Sequence, residues 1–223
     1  MAMFMARRTC TLSKGGAWLF IQTVVGLGLF YAVTLGLTAA WFGGLTDNLR
    51  SRLIDTKMAI PTLLLMLLVS SMLGPGLLNV ILVLSLFGIQ EARIIRGPAL
   101  SIKENVYVDA ARAQGSTSWR IITRHFLPNV FAPIIILATL RFGAVILLES
   151  TLSFLGYGIL PPFQSWGRML SQESRYNTAQ APWLAIAPGI ALTMAVWGFN
   201  VLGDALRDLL DPRLRGTRAG GFH

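Results

Sequence analysis

The chain has 223 residues, 54% of them hydrophobic and 13% charged, with a mean hydropathy of +0.61; soluble domains carry about 25% charged residues, so the composition is that of an integral membrane protein. A net charge of +9 would suggest nucleic acid in a soluble chain, but Lys and Arg beside membrane spans follow from the positive-inside rule, and nucleic acid is not an expected partner. One cysteine, Cys10, and two histidines, His125 and His223, exclude an internal disulfide and a Cys/His zinc site.

In chain order, a short basic tail over 1–15, with Arg7, Arg8 and Lys14, precedes an apolar run from Ala17 to Phe42. The run is longer than a signal-peptide core of about 7 to 15 residues and reaches the length of about 20 needed to cross a bilayer, so it reads as a retained first span. Gly43 and Gly44 end it. Arg50, Arg52 and Lys57 then lie on one side of the membrane, and Met58 to Leu73, extended back through Leu53 and Ile54, forms a second span with Lys57 snorkelling to the interface. Gly74-Pro75-Gly76 breaks that helix and reads as a tight hairpin into a third span from Leu77 to about Arg93 or Arg96.

A fourth span is expected over Pro128 to Leu148, with Pro128 in its first turn and Pro133 kinking it one turn later. Arg141 lies inside this run and Glu149 near its end. An ionisable residue at that depth turns towards protein or water, so Arg141 and Glu149 are candidates either for a translocation path or for an interhelical polar contact. The segment 149–181, with Phe154, Tyr157, Phe163 and Trp166 among Gly156, Gly158, Pro161 and Pro162, reads as an external interfacial or re-entrant stretch. A fifth span runs from Pro182 to Gly203, within a membrane domain over 16–206, and an amphipathic polar tail over 207–223 follows.

Orientation follows from the basic residues. With five spans, one side carries 13 Lys and Arg in the loops after spans one and three and in the C-terminal tail, against five on the other. The richer side is cytoplasmic. This puts the C-terminus and the loop between spans three and four inside, and the N-terminus outside despite its three basic residues.

That loop, Tyr107 to Asn129, is the longest polar interval between apolar runs. Ser101-Ile-Lys-Glu104 matches a capping box and predicts a helix starting there, continuing to Gly115, the residue suited to a left-handed C-terminal cap. Ser116, Thr117 or Ser118 is expected to cap a second short helix bearing Trp119, Ile122 and Phe126. On the first helix Tyr107, Ala110, Ala111 and Gln114 fall on one face, where small side chains would let the backbone sink into a partner's groove. A helix-turn-helix reader of DNA has the same outline, but both ends here are fastened to spans, at the bilayer surface. A connecting loop without a partner is the remaining plain reading.

The stretch resembles the EAA loop of permease subunits of binding-protein-dependent ABC importers, whose pattern is E-A-A, three residues, G, nine residues, I, one residue, L-P. Asp109, Ala110, Ala111, Gly115, Leu127 and Pro128 stand in register, with Asp109 in place of the first Glu and His125 in place of Ile. Four further segments, WFGGLTDNLRSRLIDTKMAIPTLLL, LGPGLLNVILVLSL, ESTLSFLGYGILPPFQSWGRML and LGDALRDLLDPRLRG, resemble the dipeptide/oligopeptide branch of that family, and the match covers nearly all of Gly16 to Gly216. The resemblance implies an all-α polytopic bundle of about five spans with the type I ABC importer transmembrane fold. Family members carry a further N-terminal span and an external segment ahead of the region present here.

The same resemblance implies a bacterial or archaeal plasma membrane location and a coupling region over 97–128. Its ATPase-coupling residues would be Tyr107, Asp109, Ala110, Ala111, Gly115, Leu127 and Pro128. The implied partners are two ABC ATPase subunits, a second homologous permease, an extracytoplasmic substrate-binding protein and membrane lipid. No cofactor is expected on this chain, and ATP-Mg belongs to the ATPases: Lys14, Lys57 and Lys103 are the only lysines, and none sits in a P-loop. An ion-coupled secondary transporter or channel would call for acidic residues within spans, which only Glu149 approaches, and for an inverted repeat, which is not evident. An intramembrane enzyme would need a nucleophile–base pair, and no His lies in a span.

Overall fold

The computed structural model describes the backbone of residues 2–160, 163, 165–171 and 182–210, and within these ranges the side chains from Leu19 onward apart from Thr46. Parts of the expected external segment (Pro161, Pro162, Gln164 and 172–181) and the tail from Asp211 on lie outside the described residues, as do the side chains of the expected N-terminal tail.

Every regular element among the described residues is helical. Helix α1, Ala2–Phe42, contains the first apolar span, Leu19–Phe42; its 24 residues extend about 36 Å at 1.5 Å per residue. Gly43 and Gly44, both at φ +61°, end it as expected. Helix α2, Gly44–Ala59, stops before Pro61, and α3 restarts at Thr62 and runs to Leu73. The second span is therefore not the continuous helix expected from Leu53 to Leu73. Pro61 has no N–H to donate and biases Ile60 away from helical dihedrals, so the chain breaks there.

The Gly74-Pro75-Gly76 hairpin forms. Gly74 sits at φ +77°, and the Asn79 amide donates to the carbonyls of Leu73 and Gly74 at 2.7 and 3.1 Å, satisfying orphan acceptors at the end of α3. Helix α4, Leu77–Leu86, passes through a 3₁₀ turn, Phe87–Glu91, into α5, Ala92–Lys103. This span thus outruns its expected end at Arg93 or Arg96. Ser101 lies in the last turn of α5 instead of starting a helix. Ala92, Ile95, Ala99 and Ile102 form a buried stripe at helical spacing that carries α5 through the capping-box sequence. The side chain of Asn105 then closes α5 by donating to the Ser101 carbonyl at 3.2 Å.

Helices α6, Val106–Ala113, α7, Ser118–Ile121, and α8, Leu127–Asn129, follow, with a π turn at Ile122–Phe126. Helix α9 runs Phe131–Phe154. It begins three residues after Pro128, so Pro133 stands in its first turn, where no N–H is required, and does not kink the span. Its end lies beyond the expected Leu148, so Glu149 is a helical residue. A short α10, Trp166–Leu170, and a long α11, Trp183–Leu210, complete the described chain. Four helical segments, Leu19–Phe42, Leu77–Lys103, Phe131–Phe154 and Trp183–Leu210, are long and apolar enough to cross a membrane, and the broken pair α2–α3 makes a fifth candidate. The all-α polytopic architecture with about five spans therefore holds.

The chain divides into two compact units. The first comprises Met1–Gly28, Ile60–Phe87 and Arg141–Phe199; its interior holds the buried side chains of Val24, Met66, Val80, Val83 and Leu152, and Phe142 stacks on Phe199 with ring centroids 5.2 Å apart. Leu78, Met194 and Trp197 are largely exposed, as helices facing hydrocarbon require. The second unit comprises Leu29–Ala59, Gly88–Leu140 and Asn200–His223. Its core joins Trp41, Ile95, Ile102, Val108, Ile121 and Phe126. Within it Gly36 lets α1 meet α5 backbone to backbone: a Cβ there would lie 2.8 Å from the Ala92 carbonyl oxygen.

Candidate functional site

The polar interval folds into a raised helix fixed from below. Helix α6 buries Val108 and Ala111, three residues apart, in the core of the second unit. Ala111 is therefore not on the outer face with Tyr107, Ala110 and Gln114: once the helix spans 106–113, one turn must supply the inward contact, and Val108 with Ala111 does so. The outer face presents Val106, Tyr107, Asp109 and Ala110. Asp109 is well exposed and pairs loosely with Arg112, one turn on, at 3.4 Å, a contact of little energetic weight in water.

Gly115 ends this helix as its sequence position predicts. Its φ is +78°, the Gly115 N–H donates to the Arg112 carbonyl at 2.9 Å and the Ser116 N–H to the Ala111 carbonyl at 3.1 Å. These two bonds define a Schellman cap. Thr117 occupies the N-cap position of α7 in extended conformation, without a side-chain capping bond. Of the three residues expected on one face of the second helix, Ile122 and Phe126 are buried while Trp119 is 73% exposed; Ile121 takes the inward position instead. The π turn adds one residue to the helical repeat and carries His125, half-buried, with its ring 5.9 Å from that of Tyr107. Leu127 and Pro128 are exposed at its end.

Three contacts clamp this region to the end of α1, and none was read from the sequence. Arg112 lies over the Trp41 ring at 4.4 Å, a cation–π geometry. Trp41 meets Phe126 edge to face at 5.5 Å. The Lys103 ammonium donates to the carbonyls of Ala40 and Trp41 at 3.0 and 2.8 Å, capping the negative end of the helix dipole.

Arg141 and Glu149 do not join this surface; both belong to the first unit. Arg141 is buried, donates to the Leu84 carbonyl at 3.0 Å and packs against Gly28, where a Cβ would lie 3.1 Å from the guanidinium. Glu149 is buried and accepts a 2.6 Å hydrogen bond from Ser153 one turn along α9. Arg141 thus makes an interhelical contact to α4 and Glu149 an intrahelical one within α9.

A family model described as "Binding-protein-dependent transport system inner membrane component" matches residues 32–216. The chain is 45% identical over 194 residues to a protein of Brucella suis biovar 1 that carries a peptide transport system permease name, covering 86% of this chain and 65% of that protein. It is 42% identical over 188 residues to the dipeptide transport system permease protein DppC of Alkalihalophilus pseudofirmus, covering 84% and 62%. To the glutathione transport system permease protein GsiD of Pectobacterium atrosepticum it is 39% identical over 190 residues, covering 85% and 63%. The chain thus spans a little under two thirds of the length of these relatives. Among solved structures, the inward-facing MetNI methionine ABC transporter aligns with a TM-score of 0.64 at 18% identity, over 91% of this chain and 97% of that one. This likeness shows a shared fold.

Proposed function

Because the chain belongs to the family of binding-protein-dependent transport system inner membrane components, we propose that it is a non-catalytic permease subunit of an ABC importer for peptides. It would form part of the translocation pathway and take its energy from separate ATPase subunits. The observation that carries the reading is α6: a short, exposed, Schellman-capped helix standing on a buried Val108–Ala111 footing, in register with the EAA pattern. A rigid helix held at both its foot and its end can transmit a partner's displacement to the spans attached to it, which then exchange outward- and inward-facing packings. The peptide class is supported by the relatives named for peptide, dipeptide and glutathione transport.

The partners on this reading are two ATPase subunits carrying ATP-Mg, a second homologous permease and an extracytoplasmic binding protein, in a bacterial or archaeal plasma membrane. Tyr107, Asp109, Ala110, Gly115, Leu127 and Pro128 would face the ATPase, and Ala111 would support them from within. The excess of Lys and Arg supports a cytoplasmic location for this face.

Co-expression with the cognate ATPases and affinity capture tests the reading. The wild-type chain is expected to retain ATPase, and Asp109→Lys to weaken the association; equal retention by both would remove Asp109 from the contact, and no retention by the wild type would overturn the proposal. Side is tested separately. With Cys10 replaced by Ser, a Thr56→Cys variant is expected to resist an impermeant thiol reagent in intact cells and to react in inverted vesicles.

A further inference from the structure

Within the second unit α1, α2 and α5 enclose a cavity of about 600 Å³ at a distance in sequence from the coupling residues. Five cations line it, Arg50, Arg52, Lys57, Arg93 and Arg96, with a single carboxylate, Asp55. Arg93 is held by Asp55 at 2.7 Å and Arg96 by Asp47, outside the lining, at 2.5 Å. Arg50 donates to the Thr38 hydroxyl at 2.6 Å, which orients its guanidinium without neutralising it. Arg52 makes no ion pair among the described residues. Arg50 and Arg52 are therefore cations of the lining that no carboxylate offsets among the described residues.

Asn48 and Ser51 add polar groups to the lining, and Leu35, Leu53, Ile54 and Ile89 supply apolar wall. On the outside of α2, Leu45, Leu49 and Leu53 recur at every fourth residue and are 87%, 65% and 64% exposed. These leucines offer apolar surface beside the cations of the same helix, in a chain whose helices span the membrane. The cavity therefore sets guanidinium groups beside exposed leucines, and a ligand suited to both carries a phosphate and hydrocarbon.

We infer that this cavity binds the phosphate headgroup of an anionic phospholipid, with the lipid's glycerol and upper acyl chain against the Leu53–Ile54 side. Basic pockets between membrane helices recognise anionic headgroups through the same complementarity. The inference rests on the membrane placement of the chain but not on its association with ATPases, so the two fail independently.

The test is native mass spectrometry of the full chain, delipidated in mild detergent and offered phosphatidylglycerol or phosphatidylcholine. One phosphatidylglycerol per chain is expected to survive under conditions that strip phosphatidylcholine. An Arg50→Gln/Arg52→Gln variant is expected to bind it about thirtyfold more weakly, since two cations near the headgroup are removed. The charge-keeping variant Arg50→Lys/Arg52→Lys is expected to retain binding, which separates loss of charge from loss of fold. Arg120→Gln/Arg124→Gln, outside the cavity, is the control. Equal retention of the two lipids, an unaffected Gln variant, or an equal loss in the control would overturn the inference. Inorganic phosphate at millimolar concentration is expected not to displace the lipid; displacement would reassign the site to a soluble phosphate and overturn the lipid assignment. ATPase capture by the same preparations reports on the proposed function separately.

Discussion

Arg96 grips Asp47 through both prongs of its guanidinium, Nε to Oδ1 at 2.7 Å and Nη2 to Oδ2 at 2.5 Å, joining α5 to the first turn of α2. The Asp47 side chain is only 14% exposed and that of Arg96 33%, so the pair is shielded from much of the screening that weakens surface bridges. Asp47 also lies at the positive end of the α2 dipole, which favours its charge. Asp47→Asn leaves a partly buried guanidinium short of its partner and is expected to lower stability by about 1–3 kcal/mol. Arg96→Lys keeps the charge and loses the fork, and is expected to fall between variant and wild type. Thermal unfolding in detergent reads the series; an Asp47→Asn midpoint equal to wild type would show that the fork contributes nothing.

Gly115 gives a second prediction. A Cβ at this position meets nothing within 4 Å, so the constraint is its φ of +78° and not space. Gly115→Ala is expected to cost about 1 kcal/mol and Gly115→Asn less, because Asn tolerates the left-handed region. Gly115→Arg adds a long cation to an exposed surface with the same backbone strain. It is expected to reach the membrane at wild-type abundance and to lose ATP-driven peptide uptake, measured together by immunoblot and labelled-peptide accumulation. Normal uptake by this variant would remove the turn from the coupling mechanism.

Gly115 was legible because a local pattern and a local requirement coincide there, and the same is true of the Gly74-Pro75-Gly76 hairpin. Ser101 was not. Its capping-box pattern is equally local, but the apolar stripe Ala92, Ile95, Ala99 and Ile102 gains burial by continuing α5, and Asn105 can close the helix one turn later. Tertiary packing overrode the cap. The Arg96–Asp47 fork and the Lys103 bonds to α1 span 49 and 62 or 63 residues, and no periodicity in a single sequence encodes such pairings. Ala111 shows the intermediate case: its place in the EAA pattern was visible, but which way it faces depended on a helix start misread by five residues.

Trp41 is the point where α1 holds the segment from α6 to the π turn. Its ring is buried, receives Arg112 at 4.4 Å and meets Phe126 at 5.5 Å. Trp41→Ala removes the filling of that core and both ring contacts, with an expected cost of about 3–5 kcal/mol. Trp41→Phe retains an aromatic face and is expected to cost less than half as much, consistent with aromatic contact terms of about 0.5–1.5 kcal/mol. The distinguishing measurement is limited proteolysis after Arg120 and Arg124. Cleavage is expected to accelerate in Trp41→Ala and stay near wild type in Trp41→Phe; equal rates in all three would show that this segment is held without Trp41.

In the first unit, the short helix α10 is seated on α9 through glycine. A Cβ on Gly167 would overlap the Ser150 backbone, and one on Gly158 would overlap Ser153. Ser150 follows the buried Glu149, which accepts from Ser153 one turn on, and Ser165, the N-cap of α10, accepts from the Arg168 N–H at 3.2 Å. The glycines allow α10 to approach the last turns of α9, and the carboxylate holds the Ser153 hydroxyl at that contact. Gly167→Ala cannot be absorbed by rotating a side chain, since the obstacle is backbone, so α10 is expected to lift from α9. Glu149→Gln preserves shape and one acceptor oxygen and is expected to hold the segment more weakly than wild type but better than Gly167→Ala. Hydrogen exchange across 165–171 measures the effect: protection is expected to fall in the order wild type, Glu149→Gln, Gly167→Ala. Full protection in Gly167→Ala would mean that the close approach of Gly167 to Ser150 is not what seats this helix.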